Sequence, residues 1–94
     1  MANVNPTKQV WKFPLQIEDG WLAVEMPRGA KLLTVMMQYD VMLWALVDPE
    51  QPSVQRRIKV FGTGHPILNA DMLVYIGSVT DGPFVWHVFD GGER

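Results

Sequence analysis

The sequence predicts a small all-β domain, an antiparallel barrel or sandwich of about seven short strands. Apolar residues recur with a period of two, as in half-buried strands, and turn residues recur about every 8 to 12 positions. The chain has 94 residues, of which 48% are hydrophobic and 19% charged, a composition typical of one compact domain. We therefore expect a single β domain over 10–90, with flexible segments at 1–9 and 91–94.

The first four predicted strands lie between positions 10 and 48. "VWKFPL" at 10–15 places its large apolar residues on one face, and "EDG" then turns the chain. "WLAVEMP" at 21–27 ends at Pro27, because proline has no N–H to donate to a strand ladder. "AKLLTVMMQ" at 30–38 and "MLWALVD" at 42–48 are predicted to form a hairpin around "QYDV".

The remaining three strands follow the loop "DPEQPS" at 48–53, which two prolines keep extended. "VQRRIKVFG" at 54–62 is the fifth strand, with Arg57 and Lys59 on one face and Arg56 and Ile58 on the other. After the irregular "HPILNAD", the segments at 72–79 and 84–90 form a last hairpin through "TDGP", where Asp81-Gly82 supplies the turn.

Charge and composition exclude several classes of protein. The formal charge is -2, whereas a general nucleic-acid binder carries a net basic face, so nucleic acid is not the expected partner. Without cysteine there is no disulfide framework and no thiolate zinc site. The N-terminus lacks the apolar core of a signal peptide, and no apolar run approaches the roughly 18 residues of a membrane span. We expect a cytoplasmic protein with no membrane contact.

The segment "RRIKVFGTGHPI" at 56–67 is the strongest candidate for ligand binding. Its two glycines and threonine could present backbone N–H groups around a phosphate, with basic side chains approaching from the preceding strand. The alternative is a strand-ending turn in which the glycines only allow backbone conformations that other residues rarely adopt, such as the left-handed one. Neither the Walker spacing nor GxGxxG is present. The predicted anion or nucleotide site consists of Arg56, Arg57, Lys59, Gly62, Thr63, Gly64 and His65.

Motifs for catalysis and for metal binding are missing. The two histidines, His65 and His87, lack an identifiable third ligand for a metal. There is no GxSxG elbow, no HExxH and no carboxylate pair at an informative spacing. We expect no enzyme, no metal and no cofactor, and we interpret His87 as a cross-strand histidine with a satisfied ring nitrogen.

Aromatic and methionine residues suggest a contact surface. Four tryptophans in 94 residues exceed the needs of a minimal core, and protein interfaces favour exposed Trp, Tyr and Met. "MMQYDVM" at 36–42 carries such residues at a predicted hairpin, although a core-filling methionine pair beside a solvated turn explains it equally well. The predicted interface consists of Trp21, Met36, Gln38, Tyr39 and Met42. Because so small a domain buries only about two thirds of its unfolded surface, a homodimer is expected.

The motifs "VWKFPL", "LWALVDP", "FGTGHPI", "YIG" and "VWHVF" give the chain a resemblance to a family of small proteins of unknown function from phage and prophage genomes. The resemblance extends from Trp11 to Phe89 and implies an origin, but no activity and no catalytic residue. The function expected is a non-enzymatic protein that binds a host component or its own copy, with an inhibitory, accessory or counter-defence role. Alternatives are sequestration of a phosphorylated ligand or nucleotide at "RRIKVFGTGH", and a structural or assembly role in the virion.

Overall fold

A computed structural model describes residues 7–17 and 21–93, which form two antiparallel sheets. The first sheet has the order β1-β4-β3 and the second the order β2-β5-β7-β6. The strands are β1 (Gln9–Pro14), β2 (Trp21–Pro27), β3 (Lys31–Gln38), β4 (Asp40–Val47), β5 (Ser53–Gly62), β6 (Val74–Asp81) and β7 (Phe84–Glu93). A single 3-10 turn, Ala70–Met72, lies between β5 and β6. The predicted all-β class is confirmed, in the form of a sandwich.

The core lies between the two sheets and follows the predicted alternation. In β4 the buried side chains are those of Val41 and every second residue after it, including Leu43, which is fully buried. The second sheet contributes Ile58, Val60 and Val88 from its two central strands. Within the described ranges no helix is long and apolar enough to cross a membrane.

Both hairpin turns are shorter than the sequence predicts. Gln38 pairs directly with Asp40, so the turn expected at 38–41 contains Tyr39 alone, in the left-handed region at φ 68°. In the last hairpin Asp81 pairs with Phe84, so the two turn residues are Gly82 and Pro83 and not the predicted Asp81 and Gly82. Gly82 has φ 59°, as the first central residue of a type II′ turn requires.

Strand β7 continues past the predicted domain boundary at 90. Gly92 pairs with Arg57 and Glu93 with Arg56, so the predicted tail at 91–94 begins inside the sheet. The Glu93 carboxylate also accepts a hydrogen bond from the Gly29 amide, which attaches the strand end to the β2–β3 turn. At the other end β1 begins at Gln9, one residue before the predicted domain start, and residues 1–6 lie outside the described ranges.

An ion pair between Arg56 and Asp90 connects the second sheet to the start of β3. Arg56 donates through Nε and Nη2 to the two carboxylate oxygens of Asp90 at 2.9 and 2.7 Å, and through Nη1 to the Ala30 carbonyl at 2.9 Å. Burial acts to raise the pKa of Asp90, but hydrogen bonds from Arg56 and the Gly92 amide, with the positive charge of Arg56, lower it overall. The hydrogen bond to Asp90 raises the pKa of Arg56 despite its burial. Both groups are therefore charged in the folded protein.

Candidate functional site

A groove of about 460 Å³ lies on the outer face of the second sheet. Residues of β2, β5 and β7 form its floor, and the segment between β5 and β6 forms its wall. Its lining is aromatic, basic and aliphatic, a combination that suits a ligand with both apolar and anionic groups. The lining residues are Trp21, Arg57, Lys59, Phe61, Pro66, Leu68, Asn69, Met72, Leu73 and Gly91.

Trp21 owes its position to the register of β2 and to a glycine in β7. The residue begins β2 opposite Lys59, and its side chain is 47% exposed. A Cβ atom at Gly91 would lie 2.2 Å from Cζ3 of the indole and 3.2 Å from the Arg57 carbonyl oxygen. Since the distance to the indole is far inside van der Waals contact, only glycine at position 91 lets the indole lie against the backbone of β7.

Two cations lie over the aromatic floor of the groove. The Arg57 guanidinium carbon is 5.7 Å and the Lys59 Nζ 5.4 Å from the centre of the Trp21 ring, and Lys59 Nζ is 5.6 Å from the centre of the Phe61 ring. These distances are in the range of cation–π attraction. Neither cation belongs to an ion pair among residues 7–17 and 21–93. Their positive charge is therefore available to an anionic group in the groove.

The wall of the groove exposes two large apolar side chains. Leu68 is 83% and Met72 79% exposed, on either side of Asn69. Asn69 has φ 57°, a left-handed conformation that asparagine tolerates, and it precedes the 3-10 turn. The local backbone thus holds a flexible, polarizable methionine and a leucine at the rim, where they can pack on an apolar ligand.

The structure separates the predicted anion site into three parts. Arg57 and Lys59 lie in the groove, whereas Arg56 points to the opposite face of β5 and binds Asp90. The His65 amide donates to the Gly62 carbonyl oxygen at 3.1 Å, and Gly64 has φ 87°, so residues 62–65 form a β-turn. The His65 ring covers Gly62, where a Cβ would be 2.9 Å from Cε1. Residues 62–65 thus have the backbone of a strand-ending turn, in which the His65 amide is already hydrogen-bonded, and phosphate binding at this turn stays a prediction.

Thr63 takes part in a chain of polar side chains. Its hydroxyl lies 2.7 Å from His87 Nε2, and Ser78 Oγ lies 2.7 Å from His87 Nδ1. The Tyr75 hydroxyl lies 2.6 Å from Ser78 Oγ. Which atom donates in the two bonds to His87 depends on the tautomer of its ring, and either hydroxyl of the Tyr75–Ser78 pair can be the donor. The interpretation of His87 as a cross-strand histidine with hydrogen-bonded ring nitrogens is confirmed. Its partners could not be predicted from the sequence, because only the pairing of the strands brings them together.

The predicted interface residues also divide between the two sheets. Met36 pairs with Met42 on the outer face of the first sheet, where Gln38 accepts a hydrogen bond from Lys12 at 2.8 Å. Tyr39 is 94% exposed at the tip of that hairpin. Trp21 belongs to the groove on the second sheet, so these residues do not form one continuous surface.

A larger cleft, of about 770 Å³, lies near the tip of the β3–β4 hairpin. Its charged lining residues are Asp40 and Asp81, and most of the others are apolar. Its lining includes Ile17, the last described residue before segment 18–20, and that segment is outside the described residues. The smaller groove is chemically better defined because its cations and exposed apolar groups converge. No group of three or more His, Asp and Glu side chains that could hold a metal occurs within 7–17 and 21–93.

The chain is thus a small all-β sandwich with an aromatic, basic groove on the outer face of its second sheet. The match to a family model covers residues 6–94 and places the chain in the family described as Domain of unknown function (DUF7352). No curated protein and no solved structure matches the chain.

Proposed function

We propose that the chain is a non-enzymatic binding protein whose groove docks a segment of a partner protein that carries acidic and apolar side chains. The observation that supports this proposal is the half-exposed indole of Trp21 beneath two cations that have no ion-pair partner within the described residues. Trp and Arg dominate the binding energy of many protein interfaces when a partner excludes water from them.

The apolar and the basic residues that line the groove contribute to recognition in different ways. Trp21, Leu68 and Met72 offer apolar surface, and its removal from water favours association by about 25 cal/mol per Å². Arg57 and Lys59 select for negative charge and repel a basic segment. The volume of about 460 Å³ fits a few side chains of a short segment rather than a folded domain.

The resemblance to phage and prophage proteins indicates where the partner is to be sought. A phage protein of this kind acts in the cytoplasm of an infected bacterium, so we propose a host protein as the partner and an inhibitory or accessory role. An acidic segment that binds here would be masked from its usual contacts.

A second candidate is a small phosphorylated ligand or nucleotide. Of the residues predicted for this ligand, Arg57 and Lys59 line the groove, where they could hold a phosphate while a base stacks in its aromatic part. A thermal-shift measurement with a nucleotide panel tests this candidate. A stabilisation that Lys59→Gln abolishes would favour the small ligand.

The proposal is tested with three labelled peptide pools and fluorescence anisotropy. One pool combines Asp and Glu with Leu and Phe, the second replaces the acids by Lys and Arg, and the third keeps the acids without apolar residues. We expect the first pool alone to bind, with an affinity that falls as salt is added. Trp21→Ala and Lys59→Gln should each weaken binding at least about tenfold.

Matched controls come from the opposite sheet. Lys12→Gln changes the net charge as Lys59→Gln does, and Tyr39→Ala removes an aromatic side chain that is more exposed than Trp21. Both variants should bind the acidic, apolar pool like the wild type. Equal binding of the basic pool, or an unchanged affinity of Lys59→Gln, would contradict the proposal.

A further inference from the structure

The outer face of the first sheet is a second surface with its own chemistry. The strand registers place Val10 and Lys12 of β1, Trp44 and Leu46 of β4, and Met36 of β3 on this face. Val10 is 56% and Met36 48% exposed, and no described element packs over them. The face is thus a mainly apolar patch, with Lys12 and Thr34 beside Trp44, and it is about 14 Å wide across three strands at a strand spacing of about 4.8 Å.

Charges of opposite sign lie at the two ends of this patch. Lys31 is opposite Leu46 at one end, and Asp40 is opposite Gln38 at the other. Both side chains are exposed, and neither forms an ion pair within the described ranges. Lys12 also lies on this face, but it already donates a hydrogen bond to Gln38. Seven strand positions separate the two ends by about 23 Å, too far for Lys31 to reach Asp40 in the same chain.

We propose that a second copy of the chain packs on this face, with its strands antiparallel to those of the first. A two-fold axis across the strands then brings Lys31 of each copy to Asp40 of the other, so the interface contains two equivalent ion pairs. The same operation packs Trp44 of one copy near Met42 of the other, since these residues occupy adjacent outward positions on β4. This inference is independent of the groove, which lies on the other sheet.

The size of the patch sets the strength of the dimer. Eight residues per strand span about 26 Å, so the patch covers about 400 Å² per copy. A standard stable interface buries about 800 Å² per partner, and the smaller area predicts a weak, concentration-dependent dimer. Dissociation is expected in the micromolar range.

Charge exchange tests the arrangement, with sedimentation equilibrium as the measurement. Lys31→Glu places two like-charged pairs in the interface, and so does Asp40→Lys, so each variant alone should raise the dissociation constant at least about tenfold. The double variant restores both pairs with reversed polarity and should return to within about threefold of the wild type. Mixing the two single variants should produce a heterodimer, because each pair in it joins opposite charges.

Lys59→Glu is the matched control. It makes the same change of charge as Lys31→Glu, but in the groove on the other sheet, so it should leave dimerisation unchanged. Circular dichroism checks that each variant is folded, as expected for exposed positions. The inference is overturned by a wild-type protein that stays monomeric at about 1 mM, well above the expected dissociation constant. It is equally overturned if the single variants dimerise like the wild type or if mixing them gives no heterodimer.

Discussion

Replacing Asp90 by Asn should destabilise the fold strongly near neutral pH and much less in acid. The substitution keeps the shape of the side chain but removes the charge that Arg56 contacts through two hydrogen bonds. The side chains of Arg56 and Asp90 are only 13% and 14% exposed, so water compensates little for the loss. The guanidinium would keep the Ala30 carbonyl and a distant contact with Glu93, at 3.7 Å.

The magnitude follows from the known cost of breaking a buried pair. Removing one partner of a fully buried ion pair costs about 3–5 kcal/mol, and the remaining partners of Arg56 reduce this to about 2–3 kcal/mol. For a domain of this size each kcal/mol lowers Tm by about 4–8 °C, so Tm should fall by about 8–24 °C at pH 7. Thermal unfolding followed by circular dichroism measures the change.

The pH dependence provides the sharper check. The folded-state pKa of Asp90 is lowered, so the ion pair contributes its full stability above the unfolded-state pKa of about 3.9 and loses it as pH falls through the folded-state value. The difference in Tm between wild type and Asp90→Asn should therefore shrink as pH falls below about 4. Asp71→Asn, an exposed control outside the ion pairs of the described residues, should leave Tm at pH 7 close to that of the wild type. A loss under about 0.5 kcal/mol at pH 7, or a difference that does not vary with pH, would refute the reasoning.

Two further predictions concern the groove and the turn beside it. Gly91→Ala places a methyl group where the Trp21 indole now lies, so Trp21 should leave the groove. The expected results are a shift in tryptophan fluorescence, which Trp21→Phe abolishes, and at least about tenfold weaker binding of the acidic, apolar pool. An unchanged fluorescence spectrum would contradict the contact between Trp21 and Gly91. Thr63→Val removes the hydroxyl that bonds His87 and should lower the free energy of unfolding by about 1 kcal/mol in urea titration, with groove binding retained. If Thr63→Val instead abolished binding of a phosphorylated ligand without loss of stability, the turn would be a ligand site after all.

The period of two was enough to predict the class, the number of strands and which side of β5 each residue faces, but the strand predicted at 72–79 is Val74–Asp81, because Met72 belongs to the 3-10 turn. Alternation placed Arg56 with Ile58 and Arg57 with Lys59, as the structure has them. The ion pair was not predictable, because Asp90 is 34 residues from Arg56 and only the β5–β7 register brings them together. Because the sequence does not show this partner, Arg56 was included in the predicted anion or nucleotide site.

The groove was missed for a related reason. Trp21 and Lys59 were both singled out, but as parts of different sites, since the register of β2 against β5 cannot be read from either strand alone. Gly91 was assigned to a tail, although its missing side chain makes room for Trp21. Long-range register and close approach to backbone are properties of pairs of strands, and local propensity carries no information about them.

The back-to-back arrangement of the sheets has a consequence for how the two proposed surfaces would work together. The groove and the apolar patch lie on opposite outer faces, so occupation of one leaves the other free. A dimer joined through its three-stranded sheets would present two grooves directed away from each other. Such an assembly is bivalent. A partner that displays its acidic segment in several copies would bind the dimer more tightly than it binds one groove, because the spacing of the segments sets a high effective concentration for the second contact.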